Sequence, residues 1–413
     1  MGELLSRSSP TTKGVSIKTI GIICECNPFH GGHKYLIEQA REGGADAIIC
    51  VMSGNFVQRG EAAVLSPHAR AEILVKSGAD AVVELPFPYA ASSAEFFGRA
   101  GVEILDRLGV DEIWFGSETG DLNILSRYAE VAESEEFQAA YAEAAEREGG
   151  TASAYFSILS KMAGAAACEP NDILAISYLR AIRGLGANIR PVTVKREGSG
   201  YSEQKITDGK FPSATALRRA WAENEIEAIM SYLPDVCGEV SRREETEKNA
   251  PARLKNAEAL VLGVLSLTPA KELEGYVGLG GGLAGRICEA AKKSDTVDAF
   301  WANCATKKYP DARIRRGVLS ALLRVKEEDL RAPVSYVRLL AANDTGRAFL
   351  SLARRASDLT VVTRQTDLPQ TPLAERQFEL EMASAVLYSK CLPKGSAADE
   401  QLRRPPVILK DKK

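Results

Sequence analysis

From Ile17 to about residue 117, short apolar runs alternate with segments whose apolar residues return every three to four positions. IKTIGIICE, DAIICVM, DAVVELP and DEIWFG are the runs, and they predict buried strands. HKYLIEQARE, SPHARAEILVKSG and SSAEFFGRAGVEILDRLG carry the helical spacing between them. Ser66 followed by Pro67 has the form of an N-cap and a first helical position. Strands that alternate with helices build βαβ units, so the pattern predicts an α/β fold with a Rossmann-like parallel sheet between helical layers. Ligands bind such sheets at the carboxyl ends of their strands.

The rhythm breaks between residues 121 and 168. ILSRYAEVAESEEFQAAYAEAAEREGG is helical and holds seven glutamates against one arginine from Glu130 to Glu148, which predicts an inserted, solvated helical segment. Alternation resumes with NDILAISYLRAIRGLG as a helix, NIRPVTVKR as a strand, a polar loop over 197–212 and the helix start SATALRRAWAEN. Beyond residue 222 helical patterns dominate as far as Arg355, followed by a short VVTR strand and a last helix around Phe378 to Tyr388. The tail RRPPVILKDKK reads as loose. The expected organisation is a disordered extension over 1–16, an α/β domain over 17–222 containing the 121–168 insertion, and a mainly α-helical domain over 223–413.

Composition narrows the function classes. The 413-residue chain carries a formal charge of −3, so any contact with nucleic acid must come from a local patch. No apolar run reaches the 18 residues of a membrane span, and the polar first 16 residues lack the core of a signal peptide, so a cytoplasmic protein without a membrane partner is expected. Eight cysteines occur without any CxxC pair, which predicts reduced, packed thiols and no metal site. Only three histidines occur, His30, His33 and His68, all within the first 70 residues.

Two of them lie in CECNPFHGGH, residues 24–33, where a strand ends and a helix begins. Backbone N–H groups and the helix dipole attract phosphate at such a point, and Gly31 and Gly32 admit a ligand close to the backbone. His30 and His33, three apart, share one face of the first turn and could donate to phosphate oxygens whose charge rises in a transition state. Taken alone, the pair could equally cap a tight turn. PSATALRR offers a second helix start, with the hydroxyls of Ser213 and Thr215 and the cation of Arg218. Gly116 of GSE ends a predicted strand and leaves room for a base or ribose. MSGNFVQRGE follows another strand and sets Asn55, Gln58 and Arg59 at the same edge, where an Arg suits an anion. GGGLAG at 280–285 matches a dinucleotide fingerprint by letter but follows no clear strand, and no P-loop is present. From Trp301 to Thr360 twelve basic residues face six acidic ones. Lys307, Lys308, Arg313, Arg315 and Arg316 cluster around Tyr309, as either an RNA-backbone contact or a solvated helix face.

The HxGH and SxTxxR elements in this order resemble those of HxGH-type nucleotidylyltransferases. That likeness implies the fold of that type, catalysis by His30 and His33, and a grip on departing pyrophosphate by Ser213, Thr215 and Arg218. Over Ile20 to Tyr388 the chain resembles one family in particular, the tRNA(Met) cytidine acetate ligases. ECNPFHGGH, MSGNFVQRGE, GADAVVELP, FGSE, PNDIL, KREGSGY, SATALR and YPDARIRR all match that family's motifs in order. The resemblance implies adenylation of acetate with ATP and transfer of the acetyl group to N4 of the wobble cytidine of elongator tRNA(Met). It implies ATP contacts at Ile23, Cys24, Glu25, Cys26, Asn27, Pro28, Phe29, His30, Gly31, Gly32 and His33, and at Gly116, Asn171 and Arg196. Mg²⁺ is expected with the nucleotide, and the basic cluster of the helical half is expected to hold tRNA. Departures from the family pattern are Cys26 for Tyr, Gly31 for Asn, Pro67 for a common Lys and GGLAGR for GLENR. Two alternatives stay open: a nucleotidylyltransferase joining AMP or CMP to a phosphorylated metabolite, and a non-catalytic RNA-binding protein on the same scaffold.

Overall fold

The structure is a computed structural model that describes residues 11–12, 15–148, 152–164, 168–196, 212–223, 226–306 and 308–410. Five of the expected strands are β1 (Thr19–Cys24), β2 (Ala47–Ser53), β3 (Ala81–Leu85), β4 (Glu112–Ser117) and β5 (Arg190–Lys195). They lie in the order β3-β2-β1-β4-β5, all parallel, so the order reverses beside β1. A crevice opens there at the carboxyl ends of β1 and β4. Alternate residues of the central strands feed two cores. Ile20, Ile22 and Cys24 pack with Ile48, Cys50 and Met52 on one face, while Ile23, Ile49, Val51 and Val83 lie on the other. Burial on both faces is why these strands read as unbroken apolar runs.

The first helices are α1 (Gly31–Glu42), α2 (Pro67–Lys76) and α3 (Ala94–Arg107). The Ser66 hydroxyl caps α2 by accepting the Ala69 N–H at 3.3 Å, with Pro67 at the first position as its sequence suggests. The acidic stretch forms α4 (Leu122–Glu133), α5 (Glu135–Glu148) and α6 (Ala152–Ala163). It is less solvated than its glutamates suggest. Leu125, Tyr128, Phe137 and Leu159 are fully or almost fully buried, while Arg183 of α7 (Pro170–Leu185) pairs with Glu130 at 3.2 Å and Glu133 at 3.4 Å. An amphipathic period was present beneath the charge, and α7 supplies the apolar partner.

Three strands come from the C-terminal half. β6 (Tyr336–Ala342) runs antiparallel to β3, and β7 (Thr360–Val362) and β8 (Val407–Ile408) flank β6 in parallel. β6 lies in a stretch expected to be helical, because YVRLLAA is an apolar run whose period does not separate a buried strand from a buried helix. The tail expected to be loose instead pairs Val407 with Ala341 and donates Leu409 N–H to Ala342 O at 2.9 Å. Of the expected extension, residues 1–10, 13 and 14 lie outside the described residues, and Thr11–Thr12 pairs with Val15–Ser16. The remaining helices include α8 (Ala214–Glu223), α9 (Asp235–Thr246), α10 (Glu258–Leu267), α11 (Leu283–Lys292), α12 (Val297–Cys304), α13 (Asp311–Leu323), α14 (Asp344–Ala356), α15 (Pro372–Cys391) and α16 (Ala398–Arg403). Leu265, Ile287, Phe300 and Val318 of these helices belong to the same apolar cluster as Val51 and Phe97 of the sheet region.

Candidate active site

β1 delivers the chain to the crevice, and the turn from Glu25 to His30 carries it into α1. His30 is the N-cap, in extended conformation, and its Nδ1 accepts the Gly32 N–H at 3.1 Å. His33 Nδ1 accepts the His30 N–H at 3.3 Å. An imidazole that accepts at Nδ1 carries its proton at Nε2 when neutral, so each ring keeps one donor for a ligand. The ring centroids are 4.0 Å apart, and the His33 ring stacks on buried Phe29 at 5.6 Å. Burial, then Arg196 and Arg218, hold His30 down to about 3. Burial and the neighbouring His30 hold His33 well below its ordinary value. Both rings are therefore neutral donors at neutral pH. The capping that the sequence left as an alternative is real, and it is what aims the donors.

Arg218 reaches the same turn from α8. It donates to Asn27 O at 2.8 Å and to the Thr215 hydroxyl at 3.2 Å, and pairs with Glu61 at 3.0 Å. Ser213 Oγ accepts the Ala216 N–H at 3.1 Å, opening α8. On the other flank, Gly116 is the penultimate residue of β4, where a Cβ would stand 3.1 Å from Arg196 Cγ. Arg196 lies 3.8 Å from Glu118, whose carboxylate accepts the Asn171 N–H at 3.0 Å and also its side-chain amide. Gly116, Asn171 and Arg196 thus gather around Glu118, across the crevice from Arg218. Ile23, Cys24, Cys26, Asn27, Pro28 and Phe29 are buried and shape the turn from beneath, with Cys26 in the left-handed region at φ 50°. The departure at Cys26 therefore falls in the core. The departure at Pro67 is also buried, at the start of α2.

The structure adds residues that sequence reasoning passed over. Arg70 is fully buried and donates to Glu25 O at 2.7 Å, Ser53 O at 2.9 Å, Leu65 O at 3.0 Å and Gly54 O. It ties the β1 and β2 loops together. An arginine inside the apolar face of PHARAEILVK was the available signal. Glu25 accepts the Gln58 N–H at 2.7 Å, and burial raises its carboxyl against the pull of Arg218 and Arg59. Asn55 of the β2 loop is buried. Its amide donates to the Ser384 hydroxyl at 3.3 Å and accepts from the Gln401 amide at 2.6 Å.

The basic segment meets this site. Gly60 has φ 77°, and a Cβ there would lie 2.6 Å from Arg316 N, so α13 seats directly on the β2 loop. Arg316 donates to Gln58 O at 3.2 Å, and Arg315 lies 3.9 Å from Glu61. Arg315 stacks over Trp301 at 4.8 Å, while Arg313 and Lys308 lie over Tyr309 at 4.9 and 5.2 Å. Lys307 lies outside the described residues. Gly281 of GGGLAG accepts the Tyr309 hydroxyl, and Gly282 caps α11 at φ 90°, so that run serves a turn in the helical half.

Neutral imidazole donors, a glycine-lined helix N-terminus and arginines on both flanks form a donor set suited to a polyphosphate. Comparisons with known proteins agree with that chemistry. The family model described as HIGH Nucleotidyl Transferase matches residues 17–403. A tRNA(Met) cytidine acetate ligase of Caldanaerobacter subterraneus subsp. tengcongensis is 32% identical over 385 residues, covering 90% of this chain and 95% of the relative. The ligase of that name from Listeria monocytogenes is 32% identical over 399 residues, covering 95% of this chain and all of the relative. Crystal structures of Thermotoga maritima TmcAL superpose with TM-scores of 0.89 for the apo form and 0.86 for the form bound with alpha-thio ATP, at 31% and 30% identity. Each covers 96% of this chain and 100% of that one.

Proposed function

Because the chain belongs to the HIGH Nucleotidyl Transferase family, and within it to the tRNA(Met) cytidine acetate ligases, we propose that it adenylates acetate with ATP and acetylates the wobble cytidine of elongator tRNA(Met). The observation that carries this reading is the pair of neutral imidazoles whose Nδ1 atoms are engaged by backbone N–H groups. Their Nε2–H donors suit the α-phosphate oxygens, where charge grows as a carboxylate oxygen attacks phosphorus. The P–O bond to pyrophosphate breaks, and Ser213, Thr215 and Arg218 hold the leaving group. Arg218 must then exchange Glu61 for phosphate. Gly116, Asn171 and Arg196 line the nucleoside side. Mg²⁺ would ride on the polyphosphate oxygens, its usual ligands in phosphoryl and nucleotidyl transfer. Acetyl transfer follows when cytidine N4 attacks the acetyl carbonyl carbon, AMP departs and the amine loses a proton. N4 is a poor nucleophile because its lone pair is delocalised into the ring, so activation of the acid precedes it.

The test is to incubate the protein with labelled acetate and ATP before adding tRNA. Acetyl-AMP and pyrophosphate are expected without tRNA, and N4-acetylcytidine after it. Pyrophosphate release that strictly requires tRNA would overturn the two-step order. Transfer of AMP to an acceptor, with no acetyl group incorporated, would favour a plain nucleotidylyltransferase.

A further inference from the structure

A cavity of about 280 Å³ has Arg316 in its lining and neither His30 nor His33. Phe87, Ser92 and Phe96 form one wall, and Arg313, Arg316 and Ser320 of α13 form the other. Arg313 and Arg316 sit three apart on one helix face, and neither has a carboxylate partner among the described residues. Glu327 also lines the cavity but pairs with Arg331 at 2.9 Å. Burial first, then the neighbouring Arg313 and Arg59, lower Arg316 to about 10. The opposite wall is aromatic and half-buried at Phe96. Arg316 links the cavity to the site, since it donates to Gln58 O at 3.2 Å while Gln58 N–H donates to Glu25 at 2.7 Å.

A space walled by guanidinium groups on one side and rings on the other fits a ligand with an anion and a flat apolar face. A nucleoside phosphate has both. Resting on the function proposed above, the geometry points to this cavity as the receptor for one splayed-out nucleotide of a single-stranded RNA loop, its base against Phe96 and its phosphate on Arg313 and Arg316. Unstacked bases are commonly taken up on aromatic and guanidinium planes. An RNA source is favoured over a free mononucleotide because the two arginines continue into Arg315 and Lys308, a charged track longer than one phosphate. A nucleotide held here would fix the loop close to the turn where the acetyl group is activated.

The experiment uses the full chain and an RNA hairpin bearing the anticodon loop, with 5-iodouridine placed at successive loop positions. Irradiation should crosslink one position to Phe96 or Phe87, and free CMP at matching concentration should not compete. Ser320→Trp, which fills the cavity, should remove that crosslink and weaken hairpin binding on the order of tenfold. Phe96→Ala provides a second, milder variant that should weaken binding in the same direction. Binding without either crosslink, unchanged affinity in Phe96→Ala, or equal competition by CMP would each sink the assignment. A wild-type protein that binds the hairpin normally and acetylates it, yet crosslinks only at Lys308 or Arg315, outside the cavity wall, sinks the cavity alone. One that neither binds nor acetylates the hairpin sinks the proposed function with it.

Discussion

The histidine turn and the basic segment lie far apart in sequence and meet at Gly60, yet they are built on opposite electrostatic terms. In the turn, the histidines and the arginine beneath them are engaged by backbone. His30 and His33 accept N–H groups, Arg70 donates to backbone carbonyls, and the imidazoles are held neutral. In the basic segment the cations lie on the rings of Trp301 and Tyr309 and meet few carboxylates among the described residues. The first arrangement fixes donor positions and is insensitive to salt. The second gives long-range attraction that salt screens. A catalyst needs the former where charge develops in one place, and a polymer-binding surface needs the latter.

The sharpest way to break this contrast is to remove the cation that organises the turn. Arg70→Met should leave several buried carbonyls without donors and destabilise the fold by about 3–5 kcal/mol, since hydrogen bonds from charged groups are worth roughly 1.5–3 kcal/mol each. Urea denaturation checks it, and a wild-type midpoint would show that the loops hold without Arg70. Next in size, His33→Ala should lower acetate-dependent ATP–pyrophosphate exchange by about 10²–10³, with His30→Ala somewhat milder. Thermal melting should stay near that of the wild type, and unchanged exchange in a folded variant would remove the histidines from the chemistry.

The two arginines at the junction should separate. Arg315→Ala should weaken tRNA binding and reduce the salt slope by about 0.7–0.9 for each phosphate it no longer neutralises. Exchange should stay close to wild type, as filter binding and the exchange assay run side by side would show. Arg316→Ala should affect both half-reactions, because its guanidinium also supports Gln58 O. Equal behaviour of the two variants would erase the distinction between track and support.

The smallest effect concerns pH. Unfolded histidine titrates near 6.5, whereas folded His30 sits at about 3 and His33 well below its usual value. The unfolded chain therefore binds more protons in that window, so stability present above about pH 6.5 declines as pH falls toward 3. A His30→Gln variant should show a shallower decline in melting temperature over that range. A parallel decline would mean that His30 does not carry the effect.

Much of this was legible in the chain. Apolar runs buried on both faces, the Ser66–Pro67 cap and the strand-to-helix turn at CECNPFHGGH are local features, written in neighbouring residues by burial, capping and glycine chemistry. They specify the α/β order and mark His30 and His33. The β6 strand escaped because YVRLLAA has no period of its own, and the tail strand escaped because its two residues pair only once β6 is in place. Tertiary structure alone decided which carbonyls Arg70 ties together, that Asn55 is occupied by Ser384 and Gln401, and that Arg316 supports the site while Arg315 faces Glu61. Those roles depend on which carbonyl or carboxylate arrives from a distant part of the sequence. A side chain's type declares what it can donate, and only the folded chain determines what it meets.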